Sequence, residues 1–360
     1  MRILYITPKI NNEGGVARIL SIKANYLIEK WGYDVHILTQ NEGNNPLFFS
    51  FNEQIKFHDM TLRGNKIAFF SRYQKALNNV LSLVQPDVIV VCDNGLKAFA
   101  IPFILKTKTP IVFECHGSKY IEERENNNLF FTKIKSAFKD FSANRFTKFV
   151  ALSGENLNEW KVNNGSVISN PLWFETQSFS ALNSKKVIAV ARHSYEKGLD
   201  RLLYIWEKIS EKHPDWILDI YGKSNENQTL KKLVADLNIA NSVAFFEPVK
   251  NINDKYLEAS MLVMTSRTEG FGMVLIEAMA LGLPVVAYDC PCGPRAIIQN
   301  DKNGFLIEDG SMDSFLVKLE LLMNDENKRF QMGLNARESV KKYNLDNIML
   351  QWKTLFEEMV

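Results

Sequence analysis

Met261-Leu262-Val263-Met264-Thr265-Ser266-Arg267-Thr268-Glu269-Gly270-Phe271-Gly272-Met273-Val274-Leu275-Ile276-Glu277-Ala278-Met279 is the stretch that carries the architecture. Met261–Met264 is an apolar burst short enough for a buried strand. Beyond the glycines, Val274, Leu275, Ala278 and Leu281 recur at helical spacing until Gly282-Leu283-Pro284 stops the run. The unit is therefore strand, glycine loop, helix. Gly270 and Gly272 let backbone come close to a ligand, and the first-turn N–H groups of a helix have no acceptor of their own. Such an end attracts an anion, most readily a phosphate. Glu269 stands before that turn and Glu277 lies eight positions further on. Carboxylates repel phosphate but accept hydrogen bonds from hydroxyls. The stretch therefore asks for a ligand with hydroxyls on both sides of a phosphate bridge, which is the layout of a nucleotide sugar.

The same alternation extends in both directions. Strand-like runs fall at Lys186–Ala191, Trp216–Tyr221, Val243–Phe246, Pro284–Asp289 and Phe305–Ile307. In the first half they fall at Arg2–Thr7, Asp34–Gln40, Asp87–Asp93, Pro110–His116 and Lys148–Ser153, with helical spacing at Ala17–Lys30 and Ser71–Val84. Near-continuous Val/Ile strands alternating with helices predict an α/β protein with two doubly wound, Rossmann-like parallel sheets. Ligands of such sheets bind beyond the carboxyl ends of the strands. Between the halves, a short strand at Gly165–Ile168 is broken by Asn170-Pro171, and the polar run Gln177–Ser184 reads as linker. The predicted domains are 1–170 and 171–344.

A chain of 360 residues accommodates two domains. Hydrophobic content of 46% with 23% charged residues is that of a globular chain rather than a disordered one. No apolar run approaches the roughly 18 residues of a membrane span. The opening Met1–Pro8 reads as a strand rather than a signal peptide, so a cytoplasmic protein is expected. The four cysteines, Cys92, Cys115, Cys290 and Cys292, form no disulfide framework, and Cys290-Pro-Cys292 lacks the second pair that a zinc site needs. Residues 1–170 hold 21 Lys and Arg against 15 Asp and Glu, whereas the remainder holds 22 against 26. Only the first half is expected to meet an anionic surface, and no nucleic-acid partner is expected. Within it, Phe130, Ile134, Ala137, Phe138 and Phe141 share one helical face beside Lys133, Lys135 and Lys139. Two readings stay open: a core-packed helix with solvated lysines, or a basic amphipathic surface resting on anionic lipid.

Other strand ends add candidates. Asn11-Asn12-Glu13-Gly14-Gly15 follows the first strand and opens a helix, without the G-x-G-x-x-G of dinucleotide folds. His116 ends the Pro110–His116 run beside Gly117, a better place for a site than a strand interior, although a lone histidine is often structural. Arg192 and Lys197, five apart on the loop after Lys186–Ala191, suit a diphosphate gripped by a fork and by a point charge. Solvated loop residues are the alternative.

Glu269 and Glu277 enclosing Gly-Phe-Gly, with Arg192 ahead of Glu196-Lys197-Gly198, resemble the signatures of the family-4 retaining glycosyltransferases of GT-B fold. Ser169-Asn170-Pro171-Leu172 and Cys290–Pro294 are similar to a bacterial subgroup that builds surface or lipid-linked oligosaccharides. The resemblance covers nearly the whole chain. It implies two Rossmann-like domains facing a cleft, with a C-terminal helix, 345–360, crossing back to the first domain through Leu350, Trp352, Leu355 and Phe356. It gives Gly14, Gly15, Arg192 and Lys197 to the donor diphosphate, together with the loop and helix start Gly270, Phe271, Gly272, Met273 and Val274. Val249 goes to the base, Glu277 to the ribose, and Glu269 and His116 to the transferred sugar. His116, Glu269, Arg192 and Lys197 are thus the expected catalytic set. Where many relatives carry glutamate this chain has Ala296, which puts that one polar contact in doubt. The implied activity is transfer of a hexose or N-acetylhexosamine from a nucleotide sugar, a UDP-sugar by the subgroup, to a glycan or lipid-linked acceptor. Such an enzyme would be cytoplasmic or peripheral at the inner face of the plasma membrane. No cofactor or metal is expected, because the cationic side chains take that role and no Asp-x-Asp pair is placed in the cleft. The alternatives are a nucleotide-sugar 2-epimerase or hydrolase of the same fold, a nicotinamide oxidoreductase, which would need the absent glycine fingerprint, and a lectin-like module, which would need no paired cations.

Overall fold

The computed structural model describes residues 1–43, 45–62, 69–120, 129–225 and 227–360, with backbone alone for 129–131. The chain forms two compact units, Met1–Trp173 with Leu345–Val360, and Phe174–Asn344. Each is built on one parallel sheet.

The first unit contains β1 (Arg2–Ile6), β2 (Asp34–Gln40), β3 (Lys56–Met60), β4 (Val88–Val91), β5 (Ile111–Cys115), β6 (Lys148–Ala151) and β7 (Gly165–Val167), in the order β3-β2-β1-β4-β5-β6-β7. Alternate side chains enter separate cores on the two faces. Ile3, Tyr5, Val88, Val90 and Val112 go to one, and Leu4, Ile6, Ile89, Val91 and Phe113 to the other. Burial on both faces explains why these strands read as continuous apolar runs. Strand β3 escapes the sequence pattern because it is an edge strand whose Lys56, Phe57 and Asp59 are exposed.

Helix Leu345–Glu357 belongs to this first unit. Ile348, Met349, Trp352, Leu355 and Phe356 join the core that holds Ile3 and Tyr5. Leu350, expected among them, is 59% exposed. Two residues before Trp352 it lies about 160° around the helix from that side chain.

Helix Leu129–Ala143 corrects the sequence reading in a second way. Ile134, Phe138 and Phe141, expected as a core face in one reading, are 51%, 36% and 54% exposed. Lys139, expected among the surface lysines, is buried with its ammonium 5.9 Å from the centre of the Phe99 ring. The helix is turned so that Lys139, Ser142 and Ala143 face inward, while Lys133 and Lys135 remain exposed. The Phe130 side chain lies outside the described residues.

The second unit contains β8 (Lys186–Val190), β9 (Ile217–Tyr221), β10 (Val243–Phe246), β11 (Met261–Met264), β12 (Val285–Asp289) and β13 (Gly304–Glu308), ordered β10-β9-β8-β11-β12-β13. Helix Leu199–Lys212 lays Leu202, Leu203, Ile205, Trp206 and Ile209 against Val187, Leu218, Ile220 and Val263 of the sheet. In this sheet the winding reverses between β8 and β11, and in the first sheet between β1 and β4. At such a reversal the connections leave to opposite sides, and a crevice opens beyond the strand ends.

Candidate active site

The crevice of the second unit is flanked by the loops that follow β8 and β11. Its central feature joins them. Lys197 Nζ donates to both oxygens of Glu269, at 2.7 and 2.8 Å, and Ser266 Oγ donates to Oε1 at 2.6 Å. Glu269 is 9% exposed. Its backbone N–H donates to Pro291 O at 3.1 Å, which ties the carboxylate to the loop after β12. The structure thus brings together two residues that the sequence places 72 apart.

Several bonds hold the two loops in register. Arg267 Nη1 and Nη2 clasp Asp200 at 2.8 and 2.5 Å, and Nη1 also donates to Tyr195 O at 2.7 Å. Burial alone would raise the Asp200 carboxyl, but Arg267 outweighs it and holds the group below its ordinary range. Thr265 Oγ1 donates to Gly198 O at 2.9 Å, and Arg267 N to Glu196 O at 2.8 Å. Gly198 sits at φ 61°, and a Cβ there would meet Thr265 O at 2.0 Å. Lys197 is therefore aimed at Glu269 by loop-to-loop stitching. Ser266, Arg267 and Asp200 are the functional supports that sequence reasoning missed: Arg267 and Asp200 find each other 67 positions apart, and Ser266 faces Glu269 only once the loop is folded.

Arg192 stands at the start of the same loop but is not drawn to Glu269. Its side chain is 60% exposed and pairs with Glu196 at 3.1 Å. Burial would raise the Glu196 carboxyl, but the neighbouring Ser194 and its own backbone, with the charges of Arg192 and Lys197, hold it down.

Past Glu269, Gly270 and Phe271 lead to Gly272, at φ 92°, which begins helix Met273–Ala280. Phe271 is buried edge-on against Tyr343, with ring centres 5.4 Å apart. Met273 and Val274 in the first turn are only half-buried, so the helix start is open to a ligand. Glu277, by contrast, is 2% exposed inside that helix, and Tyr256 donates to its Oε2 at 3.1 Å. Val249 is half-buried on the segment after β10. Cys290 lies near Glu269, and burial first, then the Glu269 charge, push its thiol well above its ordinary range. It stays protonated and is no nucleophile.

In the first unit, Gly14 ends the loop after β1 and Gly15 opens the helix that follows, beside that sheet's reversal. Gly14 precedes helix Gly15–Trp31 and donates its N–H to Asn12 Oδ1 at 2.8 Å. A Cβ on Gly15 would meet nothing within 4 Å, so space is open in front of the helix start. His116 follows β5, with its backbone N–H on Asn94 Oδ1 at 3.3 Å and Nε2 3.6 Å from Glu114 Oε1.

Residues 174–339 match the family model described as glycosyl transferases group 1. An uncharacterized glycosyltransferase of Haemophilus influenzae is 29% identical, over 98% of this chain and 99% of its own. The amylovoran biosynthesis glycosyltransferase AmsD of Erwinia amylovora is 27% identical over 98% and 99%. Among solved structures, a variant of S. aureus TarM in complex with fondaparinux, alpha-GlcNAc-glycerol and UDP superposes with a TM-score of 0.81 at 17% identity, covering 99% of both chains. With its two parallel sheets and a site at the winding reversal, the chain is a glycosyltransferase of GT-B fold, whose residues 174–339 are those of the group 1 glycosyl transferases.

Proposed function

We propose that this glycosyltransferase moves a hexose or N-acetylhexosamine from a UDP-sugar, with retention at the anomeric carbon, to a hydroxyl of a glycan or lipid-linked acceptor. The observation that carries the donor half is the Lys197–Glu269 pair, set at the sheet's winding reversal beside an open helix start. Breaking the anomeric C–O bond leaves negative charge on the diphosphate. Lys197, Arg192 and the N–H groups at the head of Met273–Ala280 are the groups that would take it up. Glu269 would accept from sugar hydroxyls and Glu277 from the ribose, with Val249 against the base. Gly14, Gly15 and His116 keep the donor roles that the resemblance gives them. UDP is supported by its presence with TarM and the retaining outcome by the resemblance. With cations supplied by the chain itself, no divalent metal is required. Incubation with a panel of nucleotide sugars, read by nucleoside diphosphate release, tests the donor. Release from UDP-glucose or UDP-N-acetylglucosamine is expected. Epimerised or free sugar as the main product, still formed at full rate when acceptor is supplied, would favour an epimerase or hydrolase.

Glu277→Gln is expected to raise the donor KM about tenfold or more, the loss of a hydrogen bond to a charged acceptor being worth about 1.5–3 kcal/mol. The turnover number should change far less. A fall in kcat at unchanged KM removes Glu277 from the ribose.

A second part of the proposal concerns the acceptor side. Phe103, 47% exposed, stacks on Phe138 and Phe141 with ring centres 6.5 and 5.7 Å apart. Arg145 lies 5.1 Å from the centre of the Phe141 ring, and Lys133 and Lys135 are exposed on the same helix. Aromatic rings left in water beside basic groups fit the interface of an anionic bilayer. They support a peripheral position at the inner face of the plasma membrane. Among the described residues no helix is long and apolar enough to cross a membrane. Phe138→Ser with Phe141→Ser, and Lys133→Glu with Lys135→Glu, should each abolish pelleting with phosphatidylglycerol vesicles. Pelleting unchanged in both double variants would end the membrane assignment.

A further inference from the structure

Lys23 sits in mid-helix, 1% exposed, a position where an unpaired ammonium would be severely penalised. Its Nζ lies 2.7 Å from both oxygens of Glu114 on β5 and 3.5 Å from the centre of the Trp352 ring. Glu114 is itself 1% exposed. Burial would raise its carboxyl, but Lys23 and then His116 outweigh that and hold it well below the carboxylate range. Around this carboxylate the Tyr5 hydroxyl and the Cys92 thiol are driven up, by burial first and then by Glu114, and both stay protonated. Cys92 Sγ donates to Glu114 Oε2 at 3.3 Å, and His116 Nε2 lies 3.6 Å from Oε1.

The ligand atoms of Cys92, Glu114 and His116 lie within 4.8 Å of one another, a span that could hold a metal ion. A metal would have to expel the ammonium that already holds both carboxylate oxygens and strip a proton from a thiol that resists losing it. Lys23 is the cation of this cluster. Its permanent partner is a carboxylate with a histidine ring on the other side.

We propose that Glu114, kept in place by Lys23 under the cover of Trp352, is the positioning residue of His116, holding the imidazole by Nε2 so that Nδ1 is left for the substrate. This rests on the reading of His116 as a contact of the transferred sugar. The logic is that of a carboxylate behind a working histidine: it fixes both ring orientation and tautomer. When the ring is neutral, its proton sits on Nε2, facing Glu114, and Nδ1 accepts from a sugar hydroxyl. The 3.6 Å separation is slightly beyond a hydrogen bond, as such contacts often are before substrate tightens them.

A comparison of single and double variants separates positioning from mere charge balance. Glu114→Gln and Lys23→Met should each lower Tm, because each leaves the other group buried without its partner. The double variant K23M/E114Q removes both charges and should recover most of the Tm. Its turnover with UDP-glucose or UDP-N-acetylglucosamine should nevertheless stay about 10- to 100-fold down, at a donor KM within about threefold of wild type. Turnover that recovers along with Tm overturns the proposal and leaves the pair purely structural. His116→Ala is the arm that tests the underlying reading: wild-type turnover there overturns both, whereas a large loss there with a fully active double variant overturns only the positioning role. A measurement on the unaltered protein guards against variants that fail to fold. Long-range ¹⁵N–¹H correlation in mildly alkaline buffer should report the Nε2–H tautomer for His116, and the Nδ1–H tautomer overturns the proposal.

Discussion

Lys197→Met is expected to lower turnover by about 10²–10³-fold, the usual cost of removing one donor aimed at developing charge. The diphosphate becomes more negative as the anomeric bond opens, so an ammonium beside it stabilises the transition state more than the bound donor. The loss should therefore fall mainly on kcat. A structural cost accompanies it. Glu269, 9% exposed, would keep Ser266 but lose the ammonium now at 2.7 Å, a change worth about 1–3 kcal/mol. Glu269→Gln separates the two effects, because it relieves the stranded charge yet replaces one of the two acceptor oxygens offered to sugar hydroxyls by an amide donor. The double variant K197M/E269Q should then regain stability without regaining turnover. Arg192→Ala should cost less than Lys197→Met, since a side chain 60% exposed acts through solvent that screens it. EDTA should leave wild-type rates unchanged. Steady-state assays of nucleoside diphosphate release decide the matter: wild-type turnover in Lys197→Met removes the lysine from the chemistry, and complete loss of activity in EDTA puts a metal there instead.

Gly198→Ala should be the most damaging methyl group that can be added to this loop. The residue sits at φ 61°, where an L side chain is strained by about 1 kcal/mol or more. The new Cβ would also stand 2.0 Å from Thr265 O, on backbone that closes the Thr265 Oγ1 bond to Gly198 O. To relieve that overlap the two loops must separate, and with them Lys197 from Glu269. Overpacking adds about 1–3 kcal/mol to the conformational strain. A fall in Tm of about 5–10 °C is expected, together with activity reduced at least as far as in Lys197→Met. Gly15→Ala is the natural control, because its Cβ would meet nothing within 4 Å and its φ is not positive. It should leave Tm within a degree or two. A Gly198→Ala protein with wild-type Tm and activity would mean that the loops do not need to be this close.

Periodicity and punctuation alone settled the strand–glycine loop–helix unit at Met261–Met279 and the parallel alternation in both halves. These are local properties: a strand buried on both faces must be apolar throughout, and a helix shows its start and stop in glycine and proline. The resemblance carried by Glu269, Glu277, Arg192 and Lys197 reached the family by the same local route. Folding was needed for whatever depends on a partner far along the chain. Lys197 with Glu269, Arg267 with Asp200, and Lys23 with Glu114 join residues 72, 67 and 91 positions apart. No sequence period reports such a pairing. Nor does an amphipathic pattern say which side of a helix the sheet will cover, which is why Lys139 is inside, Phe138 and Phe141 are outside and Leu350 faces water. The chain's own chemistry chose the elements, and long-range packing chose which charges meet.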